Sequence, residues 1–394
     1  MTGLLPTYSR QPVSFTRGQG VWLWDEQGKQ YFDALSGIAV CGLGHAHPEI
    51  AAAIADQAAT LIHTSNLYGV PLQRELAEVL CSLSAMSGCF FCNSGAEANE
   101  AALKLARLHA HRKGIEQPKI LVTEQSFHGR TLATLAATGN TKVQKGFEPL
   151  FPGFIRIPFG DPAAVKQALT QNTDIVAFLV EPIQGESGVR EPDCGLAAYL
   201  NSIRSMCNDH DCLMMLDEIQ TGNGRTGRYF AFQHSSILPD VVTTAKGLGN
   251  GFPIGAVLTR GRAADLFQPG AHGSTFGGTP LACRVALTTV RLLCAGAIEN
   301  ARIQGDRIRQ ELSARLKPLN VSISGLGMMI GVVLPHDATP LIATGREAGI
   351  LFSVSSGNRI RLLPPLNLTP LETDLLIAKI GQLVECFLTQ EHSL

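Results

Sequence analysis

The sequence predicts an α/β protein: a mostly parallel central sheet flanked by helices, with a smaller α+β part attached. Three observations carry this. The runs 174–180 and 212–216 are apolar without alternation, as strands buried on both faces are. Stretches of helical periodicity separate such runs, which is the order a parallel sheet requires. Past Thr279 the alternation gives way to a long helical stretch, two strand-like runs and a final helix.

From the N-terminus, GVWLWDEQGKQYFDAL alternates around a turn at 25–28 and reads as two short strands. The loop SGIAVCGLGHAHP leads into a helix over 49–61. Residues 87–91 form a short strand. The spacing of Ala98, Ala101, Ala102, Leu105 and Leu108 predicts a helix over 94–111. Then follow a strand at 119–123, a helix at 130–137, the strand at 174–180, a helix at 196–208 and the strand at 212–216. PDVVTTAKG and IGAVLTR add two more strands. A helical stretch over 280–316 carries Ile303, Arg307, Ile308 and Leu312, and the closing helix covers 370–388.

Composition narrows the function. The chain has 394 residues, enough for two or three domains at roughly 150 each. Only 16% are charged, against about 25% in an average globular protein, which points to a large core or a sizeable subunit interface. The net charge of −1 argues against nucleic acid as a partner. The start, MTGLLPTYSRQPVSF, has neither a basic nor an apolar signal region, and the longest apolar run, at 325–334, is short of the ~20 residues that span a bilayer. A cytoplasmic protein without a membrane partner is expected. The ten cysteines lack framework spacing. Cys89 and Cys92 match C-x-x-C, but three apart on a strand they face opposite ways, so the cysteines read as reduced, buried thiols.

Strand ends carry the unusual residues, and ligands of open α/β sheets sit there. In CNSGAEANEAALKLAR, Ser94 and Glu97 fit a capping box, and Gly95 lets backbone approach an anion at a helix N-terminus; an ordinary capped helix has the same signature. In EQSFHGRT, Phe127 suits stacking on a flat ring and Arg130 suits a carboxylate. CLMMLDEIQTGNGRTG ends a buried strand on Asp217, where a charge is costly unless paired. DVVTTAKGLGNG ends one on Lys246, whose desolvation would lower its pKa and make it a nucleophile; a snorkelling lysine is the plainer alternative. Together, an anion cradle, an aromatic, an acid and a strand-end lysine match pyridoxal phosphate: its phosphate, its ring, its pyridinium nitrogen and its aldehyde.

Competing motifs are weaker. His45-Ala-His47 and His109-Ala-His111 have no third ligand nearby, so no metal is expected. The stretch 222–227 matches G-x-G-x-x-G, the basis for a dehydrogenase reading. It stands four polar residues beyond its strand, and Asp240 comes too early for a dinucleotide fingerprint.

Taken in order, WLWDEQGKQYFDALSGIAV, GLGHAHP, NSGAEANEAALKLAR, FHGRT, VEPIQGESGV, LDEIQTGNGRTG, AKGLGNGFPIGA, HGSTFGGTPLAC and RLLPPL resemble the class III aminotransferases of PLP fold type I, and among these the acetylornithine aminotransferases. The resemblance implies the aspartate-aminotransferase-like fold, with a large PLP-binding domain at 61–275 and a small domain made of 1–60 and 276–394. It implies Lys246 as the Schiff-base lysine and proton shuttle, and Asp217 as the partner of the ring nitrogen. Ser94, Gly95, Ala96, Phe127, Glu218, Ile219 and Gln220 would line the cofactor. Thr275 would reach the phosphate in a neighbouring subunit, so a homodimer with shared active sites is implied. Arg130, Glu186, Ser274 and Arg361 would bind substrate, with Glu186 releasing Arg361 when 2-oxoglutarate or glutamate arrives.

The implied donor is N2-acetylornithine, in arginine biosynthesis; succinylornithine, N-succinyl-diaminopimelate and ornithine itself are alternatives. Ornithine aminotransferases carry a tyrosine where this chain has Ile38, a less polar wall better suited to an acylated amine. Two departures from the family pattern stand out, LYGVPLQREL after HTSN and Asn250 within AKGLGNG. Within PLP chemistry an aminomutase or decarboxylase is a rival, and a non-catalytic PLP-binding protein is another.

Overall fold

A computed structural model describes residues 3–391; residues 1–2 and 392–394 of the segments assigned above lie outside the described residues. Three strands open the chain: β1 (Phe15–Gln19), β2 (Trp22–Asp25) and β3 (Gln30–Asp33). The central strands are β4 (Gly88–Cys92), β5 (Lys119–Thr123), β6 (Phe154–Ile157), β7 (Ile175–Val180), β8 (Leu213–Asp217), β9 (Val241–Thr244) and β10 (Gly255–Thr259). The C-terminal part contributes β11 (Ser322–Leu326), β12 (Met329–Val333), β13 (Ile350–Leu351), β14 (Ser353–Ser355) and β15 (Arg359–Leu362).

The seven-stranded sheet has the order β4-β10-β9-β8-β7-β5-β6. Only β10 runs against its neighbours, so β4, β5, β7, β8 and β9 all end at one edge. Every residue of β7, β8 and β9 is buried, which is why their sequences do not alternate. A four-stranded sheet, β1-β2-β3-β13, ties the N-terminus to the C-terminal part through the parallel pair Ile350↔Phe32. A second, β11-β12-β15-β14, carries Arg361.

Each element expected from the sequence is present, most with ends shifted by a residue or two, and the closing helix, Pro370–Glu391, runs three residues further than expected. Helices at Pro71–Ser84, Pro162–Gln171 and Leu341–Glu347 and the edge strands β1 and β6 were not anticipated. The stretch 280–316 is two helices, Pro280–Leu292 and Ile298–Leu316, joined by a π-type turn with Gly296 at φ 150°. Ile308 and Leu312 are buried on the second, but Ile303 points outward and is 47% exposed. Within the helical stretch Pro280–Leu319 one window is apolar enough, by length and composition alone, to cross a membrane, as a core helix can also be. Its residues Cys283, Val285, Ala286 and Val290 pack into the main core.

The 222–227 loop precedes no helix of the dinucleotide-binding kind; a short 3-10 turn at Ala231–His234 follows instead. It is a joint. Arg225 is buried there, its guanidinium pulled down to about 9 by burial, and donates to the carbonyls of Met328 and Pro364 in the C-terminal part. Gly327 presses on the backbone of Arg225 to Gly227, and Gly305 of the long helix presses on Gly327 from the other side. A Cβ on Gly305 would sit 2.1 Å from the Gly327 oxygen, where only backbone could yield. Gly305→Ala is therefore expected to destabilise the fold by about 3 kcal/mol, the upper end of ordinary overpacking, read as a drop in the urea midpoint.

The cysteine expectation needs amending. Cys92, Cys207, Cys212 and Cys283 are buried free thiols, but Cys194, Cys294 and Cys386 are exposed. Burial pushes the Cys92 thiol up to about 12, so it is no nucleophile.

Candidate active site

The shared edge of β4, β5, β7, β8 and β9 opens onto a cavity of about 370 Å³. Each strand delivers one piece of wall. Beyond β4, Ser94 caps the helix Gly95–Arg112, its Oγ accepting from the Glu97 N–H at 3.2 Å. The box differs from the expected one, because Glu97 reaches back to the N–H of Asn93 at 2.8 Å rather than to that of Ser94. Gly95 and Ala96 thus open a helix whose first N–H groups face the cavity. Gly95 has no room for a Cβ, which would lie 2.7 Å from Ile219 Cδ1.

Beyond β5, Phe127 forms a wall, and the Arg130 guanidinium lies 5.7 Å from its ring centroid. At the tip of β8, Asp217 is buried and fully engaged. Its Oδ2 accepts from Asn99 Nδ2 at 2.7 Å and pairs with His128 Nδ1 at 2.8 Å, while Oδ1 accepts from the Ile219 N–H at 3.1 Å. Thr243 of β9 donates to Asn99 Oδ1 in turn. This orients the carboxylate by hydrogen bonds from three sides. Lys246 stands two residues past β9, in a left-handed conformation at φ 42°, and burial draws its ammonium below the usual lysine value. Asp217 and Thr243 are register partners across β8 and β9, which sets Asp217 and Lys246 side by side at the sheet edge.

Beyond β7, Glu181 accepts from the N–H groups of Phe127 and Gly185, and burial raises its carboxyl to about 7. Glu186 pairs with Arg361 Nη1 at 2.7 Å. Arg361 is 3% exposed and also donates to the Gly185 carbonyl and to Ser353 Oγ. Burial would raise the Glu186 carboxyl. Arg361 foremost, with Lys246 and Arg130 further out, outweighs that and holds it below the ordinary value.

Three of the residues picked from the sequence stand elsewhere. Glu218 turns away from the cavity, accepting from Thr221 Oγ1 and the N–H groups of Ala231 and Phe232, because the chain bends back under it. Ser274 and Thr275 are outside the cavity wall of a single chain: Ser274 Oγ caps its own turn at the Gly277 N–H, and Thr275 is exposed. The segment of Ile38 contributes Val40 to the wall instead, with Ile38 37% exposed. Asn250 has a clear task, accepting from the Leu43 N–H at 2.7 Å and donating to the Gly44 carbonyl. Sequence reasoning gave no role to Asn99, His128 or Glu181. Asn99, a fully buried amide on an alanine-lined helix face, was the findable one.

These residues fit pyridoxal phosphate. The helix start suits a phosphate, Phe127, Val40 and Ile219 suit a flat ring, and Asp217 is an oriented acceptor for a ring N–H. Gln220 Oε1 is buried without a partner among the described residues, in the cavity wall, where a ring hydroxyl would satisfy it. No group of three or more metal-ligating side chains occurs among the described residues.

The family model "Aminotransferase class-III" matches residues 6–384. The acetylornithine aminotransferase of Nitrosomonas europaea is 51% identical over 98% of this chain and 99% of its own length. That of Gloeobacter violaceus is 47% identical over 94% of this chain and 93% of its own. Among solved structures, the ornithine aminotransferase of Toxoplasma gondii superposes with a TM-score of 0.93 at 33% identity, covering 100% of this chain and 94% of that one. The acetylornithine aminotransferase of Elizabethkingia anophelis gives 0.85 at 34% identity, covering 96% and 95%. A second Toxoplasma structure is described as having partial occupancy of PLP at its active site.

Proposed function

The chain belongs to the class-III aminotransferases, and from that premise we propose that it moves the δ-amino group of N2-acetylornithine to 2-oxoglutarate, giving N-acetylglutamate 5-semialdehyde and glutamate in arginine biosynthesis. As in the rest of its family, the cofactor is pyridoxal phosphate, which supplies an amine-reactive aldehyde and a ring that accepts electrons from the substrate carbon.

The single observation that carries the two-substrate reading is the Glu186–Arg361 pair beside Lys246. A buried guanidinium needs an anion. With the acyl amine bound, Glu186 serves; with a dicarboxylate bound, the substrate's α-carboxylate replaces it and Glu186, already 36% exposed, turns to solvent. Arg130 takes the other carboxylate. Lys246 holds the cofactor between turnovers and, freed by substrate, carries the proton on and off the substrate carbon; its lowered pKa suits both tasks. Asp217, fixed by Asn99, His128 and the Ile219 N–H, keeps a proton on the ring nitrogen. The helix N–H groups at Gly95 and Ala96 would hold the phosphate, and Gln220 the ring hydroxyl.

A homodimer belongs to this reading. Leu67, Tyr68 and Phe276 are exposed beside Thr275, in segments tied together by the Asn66 amide, which donates to the carbonyls of Ser274 and Gly277. Thr275 would then reach a neighbour's phosphate. The division into 61–275 and the 1–60 plus 276–394 part, and a cytoplasmic location, go with the same reading.

The test follows the visible absorption of cofactor-loaded protein while single amines are added. N2-acetylornithine and glutamate are each expected to bleach the band, and free ornithine to leave it at equal concentration. An equal response to ornithine would overturn the acylated donor; silence with glutamate would overturn the gate.

A further inference from the structure

A second arginine pair stands behind the first. Gln184 and Arg190 pair across a tight hairpin that carries Glu186 near its tip. Arg359 stands two residues before Arg361 on β15, packed so closely on the hairpin that a Cβ at Gly188 would meet Arg359 Cβ at 2.6 Å. Arg190 and Arg359 both line a cleft of about 590 Å³ between the hairpin and strands β11, β12 and β15. Among the described residues neither side chain has an ion pair, and the Arg190 guanidinium lies over the Phe159 ring, 5.9 Å from its centroid.

The cleft is built to hold an anion. Burial pulls the Arg359 guanidinium below its usual value, and the like charge of Arg190 adds to this, so both are relieved by a shared counter-ion. Gly195, also on the wall, opens the helix Leu196–Asp209 with no side-chain cap. Two acids share the cleft, Glu191, which accepts from the Gly325 N–H, and Asp193 at the exposed rim. The hairpin is also fastened to the same strands, with Ser324 Oγ donating to the Val189 carbonyl at 2.8 Å and Ser356 Oγ to that of Ser187.

We propose that this cleft binds a small oxyanion with at least two acid oxygens, bridging Arg190 and Arg359, and that the bound ion clamps the hairpin to β15 with Glu186 on Arg361. The second half rests on the gate reading given above; the first does not. An ion so bound disfavours the swing of Glu186, so it opposes 2-oxoglutarate and glutamate while sparing the acyl donor.

The test titrates inorganic phosphate, and in a separate arm succinate, into cofactor-saturated protein by calorimetry, with R190Q/R359Q and R359Q alongside. One saturable site is expected in the unsubstituted protein, weakened about tenfold or more in either variant, as loss of a charge-assisted contact predicts. Binding by phosphate alone assigns a phosphate site and by succinate alone a dicarboxylate site. Equal affinity in all three proteins, or no saturable binding, overturns the proposal. The coupling is read from KM: phosphate should raise the value for 2-oxoglutarate, not that for the acyl donor, and not in R359Q. In E186A phosphate should still bind but lose its effect on KM. An effect that survives in E186A overturns the coupling, whereas unaltered glutamate kinetics in E186A overturn the gate and leave the binding site standing.

Discussion

Lys246→Ala is expected to leave a folded protein that takes up pyridoxal phosphate but cannot fix it covalently. Borohydride treatment of the unsubstituted protein should add the cofactor's mass to the chain, and the same treatment of the variant should not. Turnover should fall by at least 10²–10⁴-fold, the worth of a positioned general acid–base alone, before the lost attachment is counted. Stability should hold or rise. No hydrogen bond or ion pair fixes the Lys246 ammonium among the described residues, so truncation leaves no stranded partner and removes a charge that burial disfavours. Alanine meets the same left-handed backbone at φ 42° that lysine does. Covalent attachment that persists in the variant would sink the assignment of Lys246, and with it the placing of the ring against Asp217.

The elements that position this chemistry were legible because they obey one rule each. β7 and β8 are apolar throughout, so they had to be central, and a central strand that ends on Asp217 puts a charge where only a ligand or a polar network could accept it. The helix at Gly95–Arg112 announced itself through Ser94 and Glu97. What stayed hidden depended on tertiary neighbours. Glu218 and Asp217 are adjacent acids, and nothing local says that one faces the cavity while the other caps the backbone of Ala231 and Phe232. His128 and Asn99 become functional only because β5's loop and the helix after β4 converge on the tip of β8. Ile38 was expected on the wall, but where the backbone is left-handed from Ser36 through Ala39 it is 37% exposed, and Val40 lines the cavity.

Edges and joints were missed for a similar reason. β1 and β6 lie at the ends of their sheets, β1 almost wholly exposed and β6 half-covered, and both are compositionally plain. The glycines of 222–227 look like a nucleotide loop in one dimension. In three they are where the 225–227 backbone, the turn at Gly327 and the helix at Gly305 come within contact of one another. Close backbone packing and phosphate binding ask the same thing of a residue, the absence of Cβ, so sequence cannot tell them apart.

Arg361→Gln should separate the two halves of the reaction. Loss of a buried, charge-paired arginine typically costs 2–5 kcal/mol, so KM for 2-oxoglutarate and glutamate should rise by about 30- to 4,000-fold. The half-reaction with N2-acetylornithine should stay within a few-fold, because there Arg361 meets Glu186 and not the substrate. A purely structural ion pair predicts the reverse pattern: both halves fall together and the unfolding midpoint drops. The geometry favours the asymmetric outcome, since Glu186 is 36% exposed and can be solvated once its partner is gone, while Gln retains a donor for the Gly185 carbonyl. A pH scan gives a second readout. The Glu186 carboxyl is held below its ordinary 4.5, so the pair stabilises the fold above that pH and the contribution is lost as pH falls through the depressed value. In Arg361→Gln that depression is gone, and the acid limb of the stability profile should be shallower; an unchanged limb with both substrates equally impaired would retire the gate.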